Sequence, residues 1–251
     1  MNCTDLQKPF DDQGFVHCRS FFSPDQIASV RTEVDRVIRD VVPQMPPEQV
    51  FYEQTSDHST LKQLQNLHLH DPFFAALINE GPVRHLAEQL LGHSVTPCNL
   101  QYFNKPPGTG LPTPPHQDGY YFKLSPCLAI TLWLALENVD AQNGCVRYVI
   151  GSHRETMRPH GQTGTLGFSQ GITDYPTAHD LAREIACPAE AGDLLAHHAL
   201  TIHRADGNRS SHRTRQALGF IFYDDRAQQN TGAWQTYQET LHRQLKQEGK
   251  I

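Results

Sequence analysis

From Ser94 onward the sequence is a succession of short apolar runs, each closed by glycine, proline or asparagine, with no helical period between them. The runs fall at 95–104, 128–138, 145–150, 184–187, 193–197, 200–204 and 214–224, which are strand lengths. Consecutive parallel strands need a crossover segment, usually a helix, so a doubly wound parallel sheet is excluded. The expected architecture is mainly β with flanking helices: a double-sheet sandwich or jelly roll braced by helices that come earlier in the chain.

Those helices are legible by punctuation and period. Ser23-Pro24-Asp25 supplies an N-cap followed by proline at the first helical position. Ile27, Val30, Val34, Val37, Ile38 and Val41 then recur at three- and four-residue spacing, a single apolar stripe that Pro43 ends. Asp71-Pro72 opens a helix through Ile78, and Gly81-Pro82 opens another through Leu91, closed by Gly92. Before them, Phe10 to Phe22 is expected to be a short strand turning at Gly14. Residues 43–70 are polar and are expected to form a long surface segment with some helix. Residues 151–180 are expected to be an insertion acting as a lid, and 233–247 a polar closing helix. With no repeats and no linker-like shift in composition, one domain is expected: a helical part to about 93, a core of about 94–224, and the final helix.

Composition narrows the function. The net charge is −6 with no basic block, which argues against a nucleic-acid surface. No apolar run approaches the ~20 residues of a membrane span, and the first residues lack the basic-then-apolar order of a signal peptide. The six cysteines, at 3, 18, 98, 127, 145 and 187, include no C-x-x-C pair and read as free thiols of a cytoplasmic protein.

The chemistry-bearing stretch is Pro114-Pro115-His116-Gln117-Asp118-Gly119. On an extended strand, His116 and Asp118 would point to one face and offer an imidazole nitrogen and a carboxylate oxygen to a common point. A third ligand must come from elsewhere, and Gly192 to His203 is the best supplier. Two histidines and a carboxylate with open positions opposite form the facial arrangement of non-haem Fe(II) oxygenases. The same types also suit a surface histidine, a turn aspartate and a satisfied core histidine.

The surrounding motifs carry a resemblance. Lys105-Pro106-Pro107-Gly108, Pro115-His116-Gln117-Asp118, Asn143-Gly144-Cys145, Gly151-Ser152-His153, Gly192-Asp193-Leu194-Leu195, His198, His203 and Asn208-Arg209-Ser210 occur in this order. Together they resemble the phytanoyl-CoA dioxygenase family, which includes ectoine hydroxylase. The resemblance implies a double-stranded β-helix (jelly roll, cupin-like) core. It also implies Fe(II), 2-oxoglutarate and O2 as cofactor and cosubstrates, with ascorbate as a stimulant. The iron ligands it implies are His116, Asp118 and His203. Where the family's cosubstrate arginine would fall, position 214 is Thr, with Arg213 and Arg215 on either side; allowing one inserted residue selects Arg215. The family's strand lysine falls on Lys105 and its indole on Trp133.

Strand alternation adds candidates. If Lys105 faces the pocket, Asn99, Gln101 and Phe103 share its face; the alternative is a solvated lysine at a strand end. Thr131 and Trp133 share a face and suit either a cosubstrate carboxylate and a pocket wall, or core packing. His197 shares the face of His203 if no bulge intervenes, whereas the resemblance favours His198 near the metal; neither is assigned as a ligand. His68, His70, His153 and His160 are read as exposed.

The expected function is hydroxylation of a C–H bond in a small-molecule substrate by a monomer or homodimer, with release of succinate and CO2. A halogenase would lack the carboxylate ligand, and Asp118 is present. A cupin-like binding protein would not need the arginine and lysine. The segments 43–70 and 151–180 carry Lys62, Arg154 and Arg158 as fixed cations among Glu48, Glu53, Asp57, Asp174 and Asp180. That mixture suits an amino acid, ectoine-like zwitterion or aminophosphonate better than an acyl-CoA.

Overall fold

The structure is a computed structural model that describes residues 6–247 and 249, apart from 109 and 166. Cys3 lies outside the described residues. The first helix, α1 (Gln7–Gln13), stops at Gly14, whose φ of 85° is in the left-handed region. A Cβ there would lie 2.4 Å from His153 Nδ1 and 2.6 Å from Thr201 Oγ1, so the position requires glycine twice over. The turn feeds β1 (Phe15–Cys18), and the strand expected from Phe10 is therefore half helix. The long helix α2 (Pro24–Asp40) begins with a reciprocal cap, in which Ser23 Oγ accepts from Gln26 N and the Gln26 side chain accepts from Ser23 N. Its stripe of Ile27, Val30, Val34 and Val37 is buried.

The segment 43–70 departs from the surface reading. It contributes β2 (Val50–Tyr52) and β3 (Leu61–Leu64), then the short helix α3 (Leu67–His70). All of Leu61, Lys62, Gln63 and Leu64 are buried. Lys62 tolerates this because its ammonium lies 3.2 Å from the Glu53 carboxylate, and a buried charge needs such a partner. Helices α4 (Pro72–Asn79), capped by Asp71, and α5 (Pro82–Leu91), stopped by Gly92, complete the helical part.

The strands follow: β4 (Val95–Phe103), β5 (Thr113–His116), a turn of helix α6 (Gly119–Phe122), β6 (Leu124–Ser125), β7 (Ala129–Ala135) and β8 (Val146–Val149). The expected insertion holds a hairpin of β9 (His160–Thr165) and β10 (Phe168–Ile172), then α7 (Ala178–Arg183). After it come β11 (Glu184–Cys187), β12 (Leu194–His198), β13 (His203–Ala205), β14 (Ala217–Asp224), β15 (Gln228–Gln229) and the helix α8 (Thr231–Gln247).

A seven-stranded sheet runs in the order β1-β12-β7-β14-β4-β3-β2, and a four-stranded sheet in the order β11-β8-β13-β5. Strand alternation sorts the large sheet's side chains. Ile130, Leu132 and Leu134 of β7, with Leu194 and Ala196 of β12 and Phe220 of β14, pack with Val34, Val37, Phe74, Leu86 and Leu90 from the helices. Each of the larger side chains here, Val, Leu, Ile or Phe, contributes about 1.5–3 kcal/mol when taken from water. Their neighbours Trp133, Ala135 and Leu195 turn the other way and pack with Val146, Tyr148 and Cys187 of the small sheet. The result is a jelly roll with helices on one outer face. Among the described residues no helix is long and apolar enough to cross a membrane.

Candidate active site

Strand β5 is an edge strand, which is why it can carry Pro114 and Pro115, residues with no N–H to give to a second neighbour. Its one neighbour is β13, and the register sets His203 directly opposite His116. The two imidazole centroids are 4.1 Å apart. His116 Nδ1 lies 2.8 Å from the Pro114 carbonyl and His203 Nδ1 3.0 Å from the Thr201 carbonyl. A carbonyl only accepts, so both Nδ1 atoms carry the proton and both Nε2 lone pairs are left for a metal.

Asp118 reaches the same point by a different route from the one expected. The strand ends at His116, and Asp118 sits in helical backbone at the start of α6 rather than two steps along an extended strand. Its Oδ1 lies 3.3 Å from His116 Nε2 and 3.6 Å from His203 Nε2. Donor atoms of the three residues all lie within 4.8 Å of one another, a spacing that a single ion can close. Burial works to raise the Asp118 pKa, but His203, His116 and His197 outweigh it and hold the carboxylate well below its usual range. His203 is pushed down, mainly by burial and then by His116 and His197, which favours the neutral, ligating form.

The other carboxylate oxygen, Oδ2, accepts from Thr131 Oγ1 at 2.6 Å and lies 3.2 Å from His197 Nε2. Thr131, expected to meet a cosubstrate, is thus engaged with Asp118. Of the two adjacent histidines, His197 borders the cavity and stands beside the triad. His198 instead lies beside Phe10 and His153, is held by the Leu200 N–H, and has its pKa pushed down to about 4 by burial.

Two cations lie deeper in the cavity. Arg215 is only 5% exposed, and its Nε has no hydrogen-bond partner. Its guanidinium lies 5.4 Å from the centroid of the Trp133 ring, and burial pushes its pKa down to about 10. Lys105 is also buried; its Nζ donates to the Leu111 carbonyl, and its pKa is held well below the usual value by burial and then by Arg215. Arg213 points elsewhere, with its guanidinium 2.8 Å from the Asp140 carboxylate and 3.1 Å from Gln142. Arg215 and Lys105, a fork and a point charge, both line the cavity, and neither forms an ion pair among the described residues. That donor set fits a dicarboxylate, and the orphaned Nε suits one of its oxygens.

The cavity has a volume of about 760 Å³. Asn99, Gln101 and Phe103 of β4 all line it. Gln101 Oε1 accepts from Gln63 Nε2 at 3.0 Å, and Asn99 Oδ1 from Asn66 N at 2.9 Å. Sequence reasoning missed the contributions of β3 and α8. Gln63 is buried with its Oε1 unpartnered, and Trp234, Tyr237, Leu241 and Leu245 line the cavity from α8. Their spacing of three and four residues is the signal that was available for α8. The hairpin closes the same side: Phe168 packs 5.2 Å from the His116 ring, and Ser169 Oγ lies 2.7 Å from the Tyr237 hydroxyl.

The cations expected at the rim are paired within the protein. Lys62 is with Glu53, Arg154 with Asp12, and Arg158 with Asp174 and Asp180. The histidines read as exposed are all partly buried and engaged. His160 stacks 4.3 Å from Tyr120 and accepts from Gln117 N, while His68 accepts from Leu100 N. His70 bonds Gln49, and His153 bonds the Asp11 carbonyl.

Comparison with known proteins follows the same lines. The family model described as "Phytanoyl-CoA dioxygenase (PhyH)" matches residues 10–217. The peroxisomal phytanoyl-CoA dioxygenase of Mus musculus is 26% identical over 220 residues, covering 81% of this chain and 63% of the mouse protein. The chain therefore spans less than two thirds of that relative. The "Probable alpha-ketoglutarate-dependent hypophosphite dioxygenase" of Stutzerimonas stutzeri is 24% identical over 217 residues, 84% of this chain and 76% of that protein. Among solved structures, the epimerase SnoN in complex with Fe3+, alpha ketoglutarate and nogalamycin RO superposes with a TM-score of 0.72 at 22% identity, covering 90% of this chain and 84% of SnoN. EctD from S. alaskensis with 2-oxoglutarate and 5-hydroxyectoine gives 0.72 at 17% identity, covering 88% and 75%. These structures share the fold.

Proposed function

The chain belongs to the phytanoyl-CoA dioxygenase family, and from that premise we propose that it is an Fe(II)- and 2-oxoglutarate-dependent dioxygenase that hydroxylates a C–H bond of a small molecule. The observation that carries this reading is the pairing, in one cavity, of a three-donor face with a buried arginine whose Nε is unpartnered. Ferrous iron bound there would supply the O2 chemistry that couples decarboxylation of 2-oxoglutarate to substrate hydroxylation. The protein's part is to hold and orient. His116 and His203 present fixed lone pairs, and Asp118 presents one oxygen. Arg215 and Lys105 take the far carboxylate of the cosubstrate, with Trp133 walling the guanidinium and Gln101 lining the same pocket.

The expected zwitterionic substrate has less support, because the three rim cations on which it rested are each paired with a carboxylate. The chamber beyond the triad is lined by Phe51, Leu69, Phe122, Tyr223, Trp234 and Leu241, interspersed with the amides Gln63, Gln65 and Gln238. That lining favours a neutral molecule with substantial apolar or ring surface, held by a few hydrogen bonds. A volume of about 760 Å³ is in the range that takes drug-sized ligands. An acyl-CoA fits less well, since its phosphates would find no unpaired cation among Lys62, Arg154 and Arg158. A binding protein without turnover would not need the buried arginine and lysine beside the three-donor face.

Succinate formation from 2-oxoglutarate with Fe(II), ascorbate and O2 tests the activity directly. Slow substrate-free turnover should be stimulated by neutral ring-bearing compounds and not by amino acids or ectoine. Absence of succinate under every condition would leave only the binding-protein reading.

A further inference from the structure

We propose that His197 is a positioning residue that, with Thr131, clamps one oxygen of Asp118 so that only the other is presented to the metal. The inference rests on the metal reading above. The two carboxylate oxygens have different surroundings. Oδ1 faces both ligand histidines, at 3.3 and 3.6 Å. Oδ2 faces away from them, toward Thr131 Oγ1 at 2.6 Å and His197 Nε2 at 3.2 Å. Thr131 and His197 are opposite one another in the register of β7 and β12, and both face inward, so two neighbouring strands of the large sheet converge on one oxygen.

The proton on His197 is placed by its other neighbour. Nδ1 lies 2.9 Å from the Tyr148 hydroxyl, and Tyr148 is fully buried. If the phenol donates to Nδ1, the imidazole proton is at Nε2 and is donated to Asp118. The opposite tautomer would aim a lone pair at a carboxylate oxygen, two acceptors face to face. The buried chain therefore runs Tyr148 to His197 to Asp118, with each group donating to the next. His197 is outside the group of donors that close within 4.8 Å, and its Nε2 is already committed to the distal oxygen.

A carboxylate held by one oxygen takes one coordination position, whereas one free to rotate can take two and obstruct a chelating cosubstrate. Removing the clamp should therefore alter both metal affinity and coordination number. Groups that orient metal ligands typically change affinity by about 10–100-fold when removed.

The test uses Co(II) binding to the full chain, anaerobically and without turnover, followed by calorimetry and by the intensity of the Co(II) visible bands. His197→Phe should weaken Co(II) binding by about 10–100-fold and change the band intensity. His197→Gln, which keeps an N–H donor, should recover most of both, and the metal-free melting temperatures should stay close to wild type. Tyr148→Phe, which only releases the tautomer, should give a smaller change of the same sign, and it carries the test if His197→Phe does not fold. Equal weakening in His197→Phe and His197→Gln, with one nitrogen ligand lost from the spectrum, would make His197 a ligand and overturn the proposal. Unchanged binding and spectra in all three variants would overturn it too. A wild-type chain that binds no Co(II) would instead sink the metal reading on which the proposal stands.

Discussion

Replacing Arg215 with methionine should stabilise the metal-free protein while weakening its hold on 2-oxoglutarate, two effects of opposite sign from one change. The guanidinium is buried with an unpartnered Nε, and burial lowers its pKa from 12.5 to about 10. At about 1.36 kcal/mol per pH unit, that fall corresponds to roughly 3 kcal/mol spent on keeping an unpaired cation out of water. Methionine fills similar volume without the charge, and replacing buried charge by well-packed apolar groups often stabilises by about 1–4 kcal/mol. Part of the gain is lost with the Trp133 contact, so the melting temperature should rise by about 2–6 °C, using about 2–4 °C per kcal/mol for a chain of this size. Cosubstrate binding should fall by about 2–3 kcal/mol, roughly thirty- to a hundred-fold, because a charge-assisted bidentate contact is lost. Calorimetry with Mn(II) in place of iron measures the affinity, and a thermal melt measures the rest. Arg213→Met should do neither, since it removes a partly exposed pair with Asp140, worth about 0–1 kcal/mol. A lower melting temperature for Arg215→Met with unchanged 2-oxoglutarate affinity would refute the assignment of the buried cation to the cosubstrate.

Other expectations follow from the same geometry. His203→Ala should lose Fe(II) binding and turnover yet keep a cooperative melt; wild-type iron affinity in that variant would remove it from the ligand set. Trp234→Ala should raise the substrate KM several-fold while leaving the 2-oxoglutarate KM unchanged, and equal effects on both would misplace α8. Asp193 accepts from Ser20 N, Glu190 N and His17, at 2.7, 3.0 and 2.8 Å. Asp193→Ala should cost about 1–3 kcal/mol for each backbone N–H left unpaired, read by urea unfolding. Burial would raise the Asp193 pKa, but these partners outweigh it and depress it below 3.8. Its stabilisation is therefore fully present above the unfolded value and lost as pH falls through the folded one. Asp193→Asn should flatten that acid limb, and an unchanged limb would show that other carboxylates set it.

What the sequence disclosed and withheld divides along physical lines. Strand β7 was plain because Ala129 to Ala135 is buried on both faces and reads as an apolar run broken only by Thr131. The proposed ligands His116 and His203 were reachable by motif, although the route by which Asp118 joins them, through the first turn of α6, was hidden by the assumption of a continuing strand. Strand β3 was illegible because half of it is Lys62 and Gln63, polar residues whose burial depends on Glu53 and Gln101 elsewhere in the chain. The pairing of the charges in 43–70 and 151–180 was hidden for the same reason. A count of Arg158, Asp174 and Asp180 cannot reveal that they satisfy each other. The pairing of Arg213 with Asp140, which favours Arg215 as the proposed cosubstrate partner, was likewise hidden from the sequence.

The groups proposed to hold the metal and cosubstrate sit on the sheet strands or directly beside them: Gln101 on β4, His116 on β5, Trp133 on β7 and His203 on β13, with Lys105 just after β4, Asp118 just after β5 and Arg215 just before β14. The outer chamber is finished by the far edge of the large sheet, β3 with the segment around β2, and by two pieces outside both sheets, the β9–β10 hairpin and α8. Under the proposed function, reactivity and selectivity are thereby written in separate stretches of chain. Changes to Phe51, Trp234 or Leu241 should then alter which molecule is held and leave His116, Asp118 and His203 in place. A scaffold partitioned in this way can exchange one substrate for another by small steps, each leaving a working oxidant at the centre.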